Sequence, residues 1–188
     1  MSIGTSASRS LARTGNSDVI AQIRCTLPLF GLMEVFFSAK TEILFLVATL
    51  ETLLGVLNQL TAQADAIVRQ QGGPQLTVAE LEQRKAQLLQ PFQVYNQQQV
   101  ALRWNQYEQK AKDLQGKAEA YLTVLQPLVP ASLYAQTLAL YQTLSAPWVS
   151  DLPHAKERLK VFEDSLPALN HIREQLTRQI EVKLGRGN

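Results

Sequence analysis

Across residues 29–67 the chain sets an apolar side chain at alternating steps of three and four: Leu29, Leu32, Phe36, Ala39, Ile43, Leu46, Leu50, Leu53, Leu57, Leu60, Ala64 and Ile67. None is charged, and only the two alanines are small. This spacing is the a/d seam of a helix that packs along its whole length against other helices. Val47, Leu54 and Val68 widen the stripe, which suits a bundle of three or four helices better than a two-stranded zipper. Roughly 40 residues at ~1.5 Å each make a rod about 60 Å long. Leu50 and Leu53, in the middle of the seam, are both expected to be buried.

The helix stops where Gln71-Gly72-Gly73-Pro74 supplies residues that end a helix and turn the chain. Thr77 and Glu80 then form a T-x-x-E capping box, each side chain satisfying a backbone N–H left over in the first turn. Val78, Leu81, Leu88 and Phe92 mark the apolar face that follows, and Pro91 predicts a kink or an end. Beyond it Val100, Trp104, Tyr107, Ala111, Leu114, Ala118, Tyr121, Leu125 and Leu128 step by three and four in a shifted phase. The reading is a kinked second arm over about 77–128, closed by Pro127 and Pro130.

A shorter helix is expected over about 131–145, then a loop at Ala146-Pro147-Trp148-Val149-Ser150. Asp151 caps the last helix with Pro153 in its first turn, where proline is tolerated, and apolar residues carry it to about Leu184. Pro167 bends this helix or restarts it with Ser165 as cap. No segment alternates with period two, so no sheet is expected. Short turns between long helices make sequential neighbours antiparallel. The fold class is therefore all-α: an elongated antiparallel bundle of three to four long, proline-kinked amphipathic helices with coiled-coil-like packing. Its divisions are a flexible polar and basic tail over 1–28, one bundle domain over 29–184, and a short tail over 185–188.

The chemistry is sparse. Two histidines, His154 and His171, lack the Glu-x-x-His spacing of a carboxylate-bridged metal bundle, and no cofactor is expected. No nucleophile-elbow serine, phosphate-cradling loop or dinucleotide fingerprint occurs. The acids mostly have a Lys or Arg close by, as on a solvated helix face. An enzyme is not expected. The net charge is +2 and the bases are scattered, so nucleic-acid binding is disfavoured. Cys25 is the single cysteine, which excludes an intrachain disulfide and fits a reducing, cytoplasmic setting. The first 17 residues contain Arg9, Arg13 and no acid, loosely like an organellar transit peptide, although a persistent amphipathic face is missing. No membrane-spanning stretch is expected, since Glu34, Lys40, Glu42 and Glu51 interrupt the most apolar segment.

One region exceeds what a simple bundle needs. Beside the main seam, the first helix carries Phe30, Met33, Phe37, Leu44, Phe45 and Val56, so apolar groups occupy nearly every face. A helix apolar all round is central in a bundle, covered by another subunit, or laid against lipid. These six, with Trp148 in its proline-containing loop, are the candidate interface residues. Phe45 lies off the seam, so Phe45→Asp is expected to spare folding.

The order Leu140-Tyr141, Trp148, Leu152-Pro153, Arg158-Leu159 and Leu166 resembles a stretch of dynamitin, a helical subunit of the dynactin shoulder, over less than a sixth of the chain. The spacing around Trp148 departs from that pattern, and the resemblance assigns no family. It would imply a coiled-coil subunit of a large assembly, with no catalytic residues to carry over. The sequence on its own points to a non-catalytic helical scaffold or assembly subunit with protein partners, as a homo-oligomer or in a hetero-complex. The alternative is a peripheral membrane-surface protein using its basic tail and apolar first helix.

Overall fold

The computed structural model describes residues 7–72, 76–145, 149 and 151–183, with side chains described within 27–178. Four helices make up the described chain: α1 (Ala7–Gly72), α2 (Val78–Leu125), α3 (Ala131–Leu144) and α4 (Leu152–Lys183). No strand occurs among the described residues. The all-α bundle read from the periodicity is the observed architecture.

Contacts between α1 and α2 fix their direction. Gly31 lies against the Tyr121 ring, Phe45 lies under the Arg103 guanidinium, Asn96 donates to the Leu53 carbonyl, and Lys85 pairs with Asp65. As α1 advances α2 retreats, so the two form a long antiparallel hairpin. Helix α4 starts beside Glu51, which Lys156 contacts, and its Leu169, Ile172 and Leu176 share one core with Leu29 and Leu32. It therefore runs back along α1. Helix α3 closes the same end, with Leu133, Leu140 and Leu144 in that core.

The result is a molecule of two unequal parts. Residues 27–50 of α1, the second half of α2, α3 and α4 form a four-helix head around one core. Residues 53–72 of α1 and 78–97 of α2 form a two-helix arm, in which Ala64, Val68 and Leu89 are the buried hydrophobic residues. This division corrects the expectation for Leu53: Leu50 is buried, but Leu53 is half-buried, because α4 starts beside Glu51 and only α2 covers α1 beyond it.

The seam also slips along α1. Ile67 is exposed and Val68 buried at the far end. A straight helix drifts by ~20° per heptad against a strict seven-residue repeat, so five heptads rotate the covered line by about one residue.

Proline reads differently in the structure than in the sequence. Pro28, Pro91 and Pro167 all lie inside continuous helices. Helix α1 begins at Ala7, well before the expected start near residue 29, so residues 7–28 of the expected tail have helical backbone. Pro91 is exposed, which leaves the carbonyl that lacks its N–H partner on the solvent side. Ser165 does not restart α4: its hydroxyl donates to the Val161 carbonyl at 2.7 Å, within the helix.

The caps follow the sequence closely. The Thr77 backbone N–H donates to Glu80 Oε2 at 2.8 Å, and the Glu80 N–H donates to Thr77 Oγ1 at 3.3 Å. At α4 the His154 N–H donates to Asp151 Oδ1 at 2.8 Å. Arg158 closes the C-terminal end of α3 from outside, donating to the Thr143 carbonyl at 3.1 Å and to the Leu144 carbonyl. A cation there also meets the negative end of the α3 dipole.

Candidate interaction surface

The core seam of α1 faces α2 on one side and α4 on the other, and the opposite side of the helix is left uncovered. Leu27, Phe30, Phe37, Leu44, Phe45 and Val56 lie there, each between 47% and 65% exposed. At 100° per residue they fall within about a third of the helix circumference. Thr41, Ala48, Thr52 and Gly55 fill the same sector. The Thr41 and Thr52 hydroxyls donate to the Phe37 and Ala48 carbonyls at 2.9 and 2.8 Å, so these threonines turn their methyl groups and few free polar atoms outward. Glu34 is the charged residue within the sector, and Glu51, bridged to Lys156, lies at its edge. The Arg103 guanidinium stands 5.2 Å from the Phe45 ring centroid and borders the other edge.

Of the candidate interface residues, Phe30, Phe37, Leu44, Phe45 and Val56 come together on this face. Met33 does not. It is 6% exposed and belongs to the core, because it sits one residue after Leu32 on the side that α4 covers. Trp148 lies outside the described residues. Leu27 and Gly55 belong to the surface but were not singled out by sequence. Leu27 continues the three–four spacing from Phe30 backward, and that second seam is the signal that could have found it.

On α2 the structure corrects the expected face. Leu88 and Phe92 are exposed, whereas Leu89 is buried. The inner line of the arm runs through Leu81, Lys85, Leu89 and Asn96 into Val100 without a break at Pro91. Two of its members are polar and satisfied by α1: Lys85 Nζ lies 3.4 Å from Asp65 Oδ1, and Asn96 Nδ2 donates to the Leu53 carbonyl at 2.8 Å. A search for hydrophobic residues passes over both.

The head contains a cavity of about 250 Å³ between the helices. Its walls are mostly apolar, including Val35, Phe36, Ile43, Leu114 and Phe162, with Glu42, Tyr107 and Arg158 as polar members. Burial raises the Tyr107 pKa, with the Arg158 charge opposing and Glu42 reinforcing, so the phenol stays protonated. Burial lowers that of Arg158. Arg158 is engaged at the end of α3, and Tyr141, another wall residue, donates its hydroxyl to Glu119 Oε1 at 3.1 Å. His154 and His171 are exposed on α4 and far apart along it, and no cluster of potential metal ligands occurs among the described residues.

The membrane expectation changes. The part of α1 over Leu27–Gly72 is long and apolar enough to cross a membrane by length and composition, and 22% of its most apolar window is buried in the chain. Residues 43–60 hold Glu51 as their one charge, and a single carboxylate does not disqualify a span. Comparison with protein-family models, curated proteins and solved structures gives no match.

Proposed function

We propose that this chain is a non-catalytic helical scaffold or assembly subunit, working inside the cell through helix-to-helix contacts with other proteins, and that the outer face of α1 is its contact surface. The observation that carries the reading is the uncovered apolar stripe from Leu27 to Val56. Its three phenylalanines, of ~150–250 Å² each and about half exposed, present roughly 300 Å² of apolar surface, and Leu27, Leu44 and Val56 extend it. That puts it within the range of the largest patch on a typical monomer, ~300–600 Å², which is often functional. The three–four spacing of the stripe suits a helix as occupant. Neither a cofactor nor nucleic acid belongs to the proposal.

The test is recovery of partners from the native host, with mass spectrometry, using the wild-type chain and Phe37→Asp. Expected is loss of a specific partner with unchanged helical content and melting. Equal capture by both would count decisively against the surface. A membrane reading has one observation in its favour, the apolar and largely uncovered 27–72 segment. Flotation with anionic liposomes separates the two: a chain that stays at the bottom does not bind lipid, and one that floats through Phe37 replaces the protein-contact reading.

A further inference from the structure

We propose that the outer face of α1 pairs with the same face of a second copy of this chain, antiparallel, each bulky residue of one helix seated over a small residue of the other. The inference rests on the reading that this face meets protein, and it names that protein.

Two successive seven-residue series run down the face. One is bulky, Phe30, Phe37 and Leu44; the other is small, Ala48, Gly55 and Ala62. All six are exposed, and a Cβ built on Gly55 would meet nothing within 4 Å. In antiparallel helices the residues of one series face those of the other, and a two-fold axis repeats every contact. Setting Phe37 over Gly55 of the second copy places Phe30 over Ala62 and Leu44 over Ala48 in the same step.

Polar positions select this register. It sets Glu34 opposite Asn58 of the second copy, whose amide N–H can donate to the carboxylate, and Glu51 opposite Thr41. A shift of one heptad in one direction sets Glu34 against Glu51, opposing like charges, and in the other sets it level with Asp65, which Lys85 and Arg69 already pair. The paired stretch, residues 30–62, is about 50 Å long at ~1.5 Å per residue. Within that stretch Phe30, Phe37 and Phe45 of each copy, about half of ~150–250 Å² apiece, contribute roughly 300 Å², and Leu44, Val56 and the small residues carry the contact toward the ~800 Å² per partner of a standard stable interface.

Gly55→Leu is the diagnostic variant, because its side chain enters open space in the single chain and clashes only in the pair. Light scattering at tens of micromolar is expected to give twice the chain mass for the wild type and the chain mass for Gly55→Leu, with the same helical content. In a Cys25→Ser background, oxidation of Leu44→Cys/Ala48→Cys is expected to give a covalent dimer, and oxidation of Thr41→Cys/Leu44→Cys, the neighbouring register, is not. A monomeric wild type, a Gly55→Leu chain that stays dimeric, or cross-linking in the neighbouring register overturns the proposal. A monomer whose capture of a host protein still depends on Phe37 overturns this pairing and leaves the broader reading standing.

Discussion

The head and the arm are cut from the same two helices, yet one is a core and the other is barely one. In the head, α1 meets α2 and α4, and Leu29, Leu32, Phe36, Ile43, Leu46 and Leu50 are all buried. In the arm, α1 meets α2 alone. There Leu54, Ile67, Leu88 and Phe92 stay exposed although they are as apolar as their counterparts in the head. A helix offers a stripe, and the number of neighbours decides how much of it leaves water. One neighbour hides a single line of side chains. The arm compensates with specific polar links, Asn96 to the Leu53 carbonyl and Lys85 to Asp65, which fix its register more than they stabilise it.

The contrast can be broken most violently at Leu32, which is fully buried in the head. Truncating such a leucine costs ~2–5 kcal/mol against a domain total of ~5–15 kcal/mol, and an unpaired buried carboxylate costs more. Leu32→Asp is expected to abolish cooperative melting followed by circular dichroism. Leu89→Ala, the same chemistry class in the arm, is expected to cost about 2 kcal/mol, the low end of that range, since exposed neighbours can close over the gap. Its effect should appear as faster amide exchange confined to residues 53–97, with the head unchanged. Exchange that rises equally in both parts would show that they unfold as one unit.

Two glycines sharpen the comparison. A Cβ on Gly31 would come within 2.3 Å of the Tyr121 ring, whereas one on Gly116 meets nothing within 4 Å. Gly31→Ala is therefore expected to destabilise by ~1–3 kcal/mol through overpacking. Gly116→Ala should stabilise by up to ~1 kcal/mol through helix propensity, and thermal melting reads both signs. The smallest effect lies at the start of α2. The Thr77 backbone N–H, then its hydroxyl, holds the Glu80 carboxyl below its ordinary pKa. The capping box therefore contributes fully above the ordinary carboxylate value and is lost as pH falls through the lower folded one. The Glu80 and Leu81 amide resonances should shift in that acidic window while those of the head do not.

Much of this was legible from residue spacing. The helices, their order and both side-chain caps follow from local chemistry that needs no tertiary context, and the burial of Leu50 follows from its place on the seam. Phe30, Phe37, Leu44, Phe45 and Val56 were legible for a related reason: they exceed what one seam can use. Leu53 was misread because its burial depends on where α4 starts along α1, which no residue near Leu53 encodes. Leu88 and Phe92 were misread because the inner face of the arm contains Lys85 and Asn96, whose partners lie on another helix. Met33 was misread because α4 covers a wider sector of α1 than the main seam suggests. Pro91 was read as a kink or an end and Pro167 as a bend or a restart, whereas each helix continues through its proline.

Helix α1 passes from head to arm without interruption, and α2 does the same beside it. The arm is thus a boom fixed to the head by two antiparallel helices, both continuous through the junction. From Glu51, where the head ends, to Gly72 is about 30 Å at ~1.5 Å per residue. A tilt of the head by ~10° sweeps the tip through roughly 5 Å, by the geometry of a rod of that length. Anything held at the tip keeps a set distance from anything held at the head. Orientation gained at one end is delivered at the other as displacement.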